Sequence, residues 1–282
     1  MCLAPCEKIL SKKHPMKGTS IQRPNPAVLG LWLGSILLFS CFQTPPPTPS
    51  DKLPSAVLNL TNWKITIPFD ANGKDGEQSE VAAEVKHPQF GSYALAGYFY
   101  VNATGNGVVF KAHAGGTHTK GSGFPRCELR EMAENGTKTA KWQSSVGKHT
   151  MEIDQAITHV PQHKPHVVAG QIHSTGDYDD VITCRLEDKR LLLAHNGKKG
   201  TVLTDKYVLG TRFKIKWVVE NDQIKSYYNG VLVETYPLAF PDSYFKAGCY
   251  TQSASWGKNN HHQADAAEYG EVVIYGLSVW HE

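Results

Sequence analysis

The chain has 282 residues, a net charge of +3, 20% charged residues and 40% hydrophobic ones, which is ordinary for a globular protein. Lysine and arginine are scattered, and no basic run is interleaved with aromatic residues, so the composition gives no support for a nucleic-acid partner. The length alone leaves open one large domain or two small ones.

The first 43 residues have the pattern of an export leader. An apolar run from Ala27 to Phe39 follows scattered cations, and it is short for a membrane span. Leu38-Phe39-Ser40-Cys41 resembles a bacterial lipobox, in which Cys41 would be lipidated; an ordinary signal peptide cleaved nearby is the alternative. Residues 44–55 are rich in proline and predict an extended tether. We therefore expect a secreted protein or an outer-membrane-anchored lipoprotein, extracellular or periplasmic, that touches a membrane only through Cys41.

The remaining residues, 56–282, predict one all-β domain. Short runs of β-type residues alternate with turn signals such as Asn196-Gly197 and Asn229-Gly230. The predicted strands include Trp63–Pro68, Gly97–Asn102, Gly107–Ala112, Lys148–Ile157, Val167–His173, Ile182–Leu186, Arg190–His195, Phe213–Glu220, Gln223–Tyr228, Leu232–Tyr236 and Glu271–Trp280. Only Asp51–Asn59 and Gln78–Val85 have the pattern of short helices. Regular short strands over ~220 residues favour a single β-sandwich jelly roll of antiparallel strands.

Charged residues occupy alternate positions in the stretch from Arg126 to Glu131. In an extended chain, side chains two residues apart share a face, so Arg126, Glu128 and Arg130 point one way while Cys127 and Leu129 point the other. One face of this predicted strand is therefore apolar, and the other is a row of cations divided by a carboxylate.

Two further stretches repeat this alternation. Gln171 and His173 share one face with Ile172 opposite them, and the stretch from Tyr244 to Gln252 places its polar side chains on one face. If the three strands are neighbours, their polar sides form one floor. A cationic and aromatic floor that also holds an ionisable base suits an anionic, sugar-like ligand whose carboxylates need neutralising. Solvated faces of ordinary antiparallel strands are the alternative interpretation.

Arg-Cys-Glu-Leu-Arg from Arg126, Gln-Ile-His from Gln171 and Tyr-Phe-Lys-Ala-Gly-Cys-Tyr-Thr-Gln from Tyr244, in this order, resemble the three signature regions of the alginate lyases of polysaccharide lyase family 7. The resemblance extends over roughly residues 56 to 282. It implies a concanavalin-like jelly roll that cleaves alginate. Cys127 departs from the family pattern, which usually has a hydroxyl residue there. With Ile172 in the middle of the Gln-Ile-His motif, the resemblance implies a weak preference for guluronate or mixed blocks as substrate.

The residue types suit β-elimination, in which a base removes the proton beside a uronate carboxylate and the 4-linked oxygen departs. His173 is the predicted base and Tyr250 the proton donor, while Arg126, Arg130 and Gln171 would stabilise the developing charge. These roles agree with those that the resemblance implies. Substrate binding is predicted for Arg130, Lys246, Tyr244 and Gln252, and Glu128 is placed with them as the residue that orients the arginines. No cofactor or metal is required, and a monomer is expected.

Three other functions fit parts of the pattern. Glu152-Ile153-Asp154 superficially resembles the acidic signature of a laminarinase-type hydrolase, but a further glutamate on the same face is missing. A non-catalytic carbohydrate-binding module has no use for a cation row beside histidine and tyrosine. A lyase acting on another uronan, such as glucuronan, stays open.

Cysteine and histidine spacing predicts neither a disulfide framework nor a metal site. Cys127, Cys184 and Cys249 are widely spaced and odd in number, and they are expected to be buried hydrophobic residues rather than a bridge. The adjacent His261 and His262 would diverge on a strand, and no third ligand has suitable spacing.

Overall fold

The structure is a computed structural model that describes residues 50–71, 81–175, 180–260 and 263–282. The predicted leader, Cys41, most of the predicted tether and the pair His261-His262 lie outside these ranges. The described strands are β1 Trp63–Asp70, β2 Ala82–Val85, β3 Phe99–Val101, β4 Val108–His113, β5 Arg126–Ala133, β6 Lys138–Thr139, β7 Lys148–His159, β8 His166–His173, β9 Ile182–Glu187, β10 Arg190–His195, β11 Lys198–Thr204, β12 Phe213–Glu220, β13 Gln223–Tyr228, β14 Val231–Pro237, β15 Tyr244–Thr251 and β16 Tyr269–His281. Three short 3-10 helices span Pro54–Ala56, Gln89–Ser92 and Gly257–Asn259.

Within the described residues, the strands form two antiparallel sheets. The nine-stranded sheet has the order β11-β10-β9-β8-β15-β5-β1-β2, with β6 paired to β5, and the seven-stranded sheet has the order β14-β13-β12-β7-β16-β4-β3. Alternate side chains of both sheets enter a shared core, in which Trp217, Phe110 and Phe245 are fully buried. This arrangement confirms the predicted β-sandwich jelly roll.

Most predicted strands are present, and one predicted helix is wrong. The predicted strand bounds of Arg190–His195, Phe213–Glu220 and Gln223–Tyr228 match β10, β12 and β13. The described end of the predicted helix Gln78–Val85 is instead strand β2, in which Val85 pairs with Ile65 of β1. Pairing with an existing strand satisfies the backbone of this segment, so tertiary contacts override the local helical pattern.

The last residues of the predicted tether contact the domain. The backbone N–H of Ser50 donates to the carbonyl of Val101 (3.3 Å), and Pro54 is buried. The described helices are three short 3-10 turns, and none of them could span a bilayer.

The three cysteines of the domain, Cys127, Cys184 and Cys249, are free and fully buried. Burial raises the pKa of each thiol well above its ordinary value. They therefore serve as small core residues, as the sequence predicts.

Candidate active site

The three motif strands are neighbours in the nine-stranded sheet. Strand β15 lies between β8 and β5, and Lys246 is paired with Gln171 on one side and with Arg130 on the other. Tyr244 stands opposite His173, and Tyr250 stands opposite Arg126. The strands of the predicted floor are therefore widely separated in the chain: the first residue of β5, Arg126, and the last residue of β15, Thr251, are 125 positions apart.

This floor lies in a groove of about 520 Å³. Eight of the nine predicted site residues of the domain line it: Arg126, Arg130, Gln171, His173, Tyr244, Lys246, Tyr250 and Gln252. The ninth, Glu128, is 1% exposed and lies beneath them. The sequence thus identified the floor, but it placed Glu128 on the ligand side of it.

Glu128 is the acceptor that holds three donors of the floor together. Its carboxylate accepts hydrogen bonds from Arg126 Nη1 (2.9 Å), Lys246 Nζ (2.7 Å) and Gln171 Nε2 (2.5 Å). Burial alone would favour the neutral acid, but the charges of Lys246 and Arg126 outweigh it and lower the pKa of Glu128. A buried, ionised Glu128 therefore fixes the positions of the groups that face the groove.

The predicted pairing of Glu128 with both arginines is wrong for Arg130. Among the hydrogen bonds of the described residues, Glu128 engages Arg126 alone of the two arginines. The Arg130 guanidinium lies over the Tyr244 ring, 3.8 Å from its centroid, just as that of Arg126 lies 3.8 Å over Tyr250. The two guanidiniums are therefore each stacked on a groove tyrosine, and cation–π attraction steadies both.

His173 is a neutral imidazole. Burial and the charges of Lys246 and Arg126 lower its pKa to about 3, against the reference value near 6.5 that the sequence alone suggests. Its Nδ1 atom lies 3.0 Å from the Ser174 carbonyl oxygen and 3.0 Å from the Tyr244 hydroxyl. The ring is therefore available as a base over a wide pH range.

Lys246 is buried, and its ammonium group loses its proton more easily than an exposed lysine does. Burial, together with the nearby charge of Arg126, lowers its pKa to about 8, while the bond to Glu128 opposes that shift. A cation that loses its proton so close to neutral pH couples the groove's charge to pH.

Strands and loops outside the three motifs complete the groove. Their lining residues include Lys64, Thr66, Glu84, Thr119, Gly121, Ser122, Asp180, Thr183 and Arg185. The Lys64 ammonium is bonded to Glu84 across β1 and β2. The sequence offered the same signal for both strands. On β1, Lys64 and Thr66 alternate with buried isoleucines. On β9, Thr183 and Arg185 alternate with buried apolar residues in the same way.

The loop from Gly115 to Pro125, which directly precedes β5, borders the groove. Its residues Thr119, Gly121 and Ser122 line the groove. Asn259 donates to the Ser122 carbonyl (2.9 Å), and Trp256 stacks on His118 with ring centroids 4.2 Å apart. The loop is therefore held by the segment that follows β15.

The residues behind a hydrolytic interpretation lie elsewhere. Glu152 and Asp154 are on β7 of the seven-stranded sheet and form ion pairs with Lys214 and Arg212. They are not among the groove-lining residues. No group of three potential ligands in the described part of the chain has the geometry to hold a metal ion.

A second cavity of about 610 Å³ adjoins the other face of β5. Glu131 accepts there from Trp142 Nε1 (3.0 Å), from the backbone N–H of Phe245 (2.8 Å) and from His281 Nε2 (2.6 Å). His281 in turn contacts His149, with 2.8 Å between their Nδ1 atoms. These contacts tie β5, β15, β7 and β16 together behind the floor.

The sequence profile of the family described as alginate lyase matches residues 58–281. The chain belongs to the alginate lyases of polysaccharide lyase family 7. The solved structure of alginate lyase AlgAT5 from this family is 46% identical, with a TM-score of 0.75 over 82% of this chain and 99% of that one. An alginate lyase from Corynebacterium sp. is 39% identical, with a TM-score of 0.74 over 84% and 100%.

An alginate lyase from Klebsiella pneumoniae is 28% identical over 160 residues, which are 55% of this chain and 47% of that protein. The match thus spans about half the length of this curated relative. For this family-7 alginate lyase domain, the groove on the nine-stranded sheet is the candidate active site.

Proposed function

We propose that the protein cleaves alginate, a 4-linked uronate polymer, by β-elimination and releases unsaturated oligosaccharides. The observation that carries this proposal is the convergence of a neutral imidazole with cationic and amide donors on one groove floor: His173, Arg126, Lys246 and Gln171. Membership of the alginate lyase family supports the substrate class.

In the proposed reaction, His173 accepts the proton from the carbon beside the uronate carboxylate. The C–H electron pair becomes the new C=C bond, the bond to the 4-linked oxygen breaks, and the departing oxygen takes a proton from Tyr250. The developing charge is delocalised into the carboxylate, where Arg126 and Gln171 stabilise it. A preorganised donor of this kind contributes on the order of 3 kcal/mol to the transition state.

A weak preference for guluronate or mixed blocks is part of the proposal, and it rests on Ile172. This side chain is fully buried on the core side of β8, so it does not touch a sugar in the groove. Any effect on preference acts through the position of its neighbours Gln171 and His173.

The test is incubation of the protein with poly-guluronate, poly-mannuronate, pectate and glucuronan, followed by ultraviolet absorbance of the new double bond. We expect alginate to be the substrate, guluronate-containing blocks to be preferred, and activity to persist in a chelator. Reducing ends without unsaturated product would indicate a hydrolase, and binding without turnover of any uronan would indicate a carbohydrate-binding module.

Substitutions then separate the roles. His173→Ala and Tyr250→Phe should lower kcat by at least about 100-fold with KM nearly unchanged, because they remove proton transfer but little binding surface. Arg126→Ala should also raise KM, and more so on short oligosaccharides. A Tyr250→Phe enzyme with unchanged kcat on both block types would show that another group donates the proton, and Lys246 would be tested next.

A further inference from the structure

We infer that Tyr244 is a positioning residue, which holds neutral His173 with its proton on Nδ1 and leaves Nε2 bare toward the groove. This inference rests on the proposed elimination and deepens it, because it assigns the accepting atom of the base. It also replaces the predicted role of Tyr244 in substrate binding.

The proton position follows from the neighbours of Nδ1. The Ser174 carbonyl oxygen lies 3.0 Å away and can only accept a hydrogen bond, so Nδ1 must carry the hydrogen. Ser174 is itself held, since its Oγ donates to the Pro241 carbonyl. In a neutral imidazole with Nδ1 protonated, Nε2 is the basic atom. Within the described residues, the hydrogen bonds of the His173 ring are all made by Nδ1, and His173 lines the groove.

Tyr244 fixes the orientation of this ring. It stands opposite His173 across β15 and β8, and the two rings lie 17° from parallel with centroids 5.1 Å apart. Its hydroxyl oxygen is 3.0 Å from Nδ1 and is a second acceptor for the same N–H. A ring turned by 180° would face both oxygens with a C–H group and lose both interactions, so the hydroxyl disfavours the inactive orientation.

The surroundings of Tyr244 favour a fixed position. Tyr244 is only 9% exposed, and the Arg130 guanidinium covers its ring. Burial, opposed by Arg130, raises the pKa of Tyr244, so its hydroxyl stays neutral. When Nε2 takes the sugar proton, the ring becomes an imidazolium. Its Nδ1–H then donates more strongly to the Ser174 and Tyr244 oxygens, which stabilise the new charge.

Tyr244→Phe tests the role, because it keeps the ring and removes only the hydroxyl. We expect kcat on alginate to fall about 10- to 100-fold, the loss expected for one hydrogen bond to a group that becomes charged, with KM within about twofold of the wild-type value. A KM that rises while kcat is unchanged would make Tyr244 a substrate contact and overturn the inference. Tyr269→Phe is the matched control, since Tyr269 stacks on His159 (3.8 Å, 12°) outside the groove; it should change neither constant.

Nitrogen-15 spectra of histidine-labelled protein give a readout that does not depend on turnover. With His173 assigned by its loss in His173→Gln, we expect a protonated Nδ1 and a bare Nε2 in the wild type, and signals shifted toward a tautomer mixture in Tyr244→Phe. A wild-type ring protonated on Nε2 alone, or a variant spectrum identical to the wild type, would overturn the inference. Absence of turnover in the wild type would instead reject the proposed function and leave this spectral result intact.

Discussion

At the scale of single residues, Lys246 links the groove to pH on the alkaline side. Its pKa of about 8 means that it loses its proton as pH rises through that value, so the floor loses a cation. We expect kcat/KM to fall about tenfold for each roughly 1.4 kcal/mol of transition-state stabilisation that the lost charge supplied. Lys246→Arg, which keeps its charge, should move this fall to higher pH. The measurement is kcat/KM from pH 6 to 10; superimposable wild-type and Lys246→Arg profiles would contradict it.

On the acid side of the pH–activity profile, the sequence cannot supply the shift in the pKa of His173. The sequence predicts that His173 is the base, and its reference pKa would place the fall of activity in acid near pH 6.5. The structure lowers that pKa to about 3 through burial and through cations contributed by β15 and β5. Such shifts depend on which strands become neighbours, and motif spacing does not contain that information.

At the scale of elements, the bulge in β15 shapes the floor. Between the pairs Ala247–Gly170 and Tyr250–Val168, β15 advances three residues and β8 two, while the pairing of β15 with β5 stays regular. Gly248 takes φ +132°, and a Cβ there would lie 2.7 Å from the Cys127 carbonyl oxygen and 3.0 Å from Glu128 Cα. Glycine is therefore required both by the backbone angle and by the close approach of β5.

Gly248→Ala should destabilise the fold by about 1–3 kcal/mol and lower kcat, because it strains the backbone and pushes against the strand that carries Glu128. Urea unfolding and alginate turnover measure the two effects. Gly210→Ala is the control, since Gly210 also has a positive φ (+85°) but open space around its would-be Cβ. It should lose stability through strain alone and keep its kcat. Equal kcat values for the two variants would show that the contact with β5 does not matter for the site.

The elements themselves were largely predictable. Period-two alternation identified both faces of β5, β8 and β15, because each has one side in the core and one side in the groove. The short edge strand β2 was not predictable, since its identity comes from pairing with β1. Lys64 and Thr66 have the same alternation as the motif strands, so the pattern alone predicts that they face the groove.

At the scale of the whole molecule, the order of the strands in each sheet could not be predicted from the sequence. Strands β8, β15 and β5 are far apart in the chain; their shared alternation suggested that they could be neighbours, but alternation alone cannot show that they are adjacent. Likewise, the hydrogen bond between Glu131 on β5 and His281 on β16 joins the two sheets behind the floor, and neither residue belongs to one of the three motifs.

The whole fold should lose stability in acid through its neutral histidines. Burial lowers the pKa of His149, of His166 to about 4 and of His173 to about 3, whereas each is near 6.5 in the unfolded chain. Between the folded and unfolded pKa values, the unfolded state therefore binds more protons than the folded state. The histidines' contribution to the free energy of unfolding is fully present above pH 6.5, and it is lost as pH drops toward 4. Carboxylates with lowered pKa, such as Glu128, add to the loss only below about pH 4.5.

Urea unfolding at pH 7.5, 6.5, 5.5 and 5.0 measures this dependence before the carboxylates contribute. Each histidine that stays neutral in the fold adds up to about 1.4 kcal/mol per pH unit to the slope. His166→Gln should reduce the slope by one such contribution, because it removes a ring whose pKa is lowered by burial and by the nearby cations Lys164, Arg185 and Lys199, against the opposing charge of Glu187. Stability that is constant from pH 7.5 to 5.0 would show that these rings take up protons without cost to the fold.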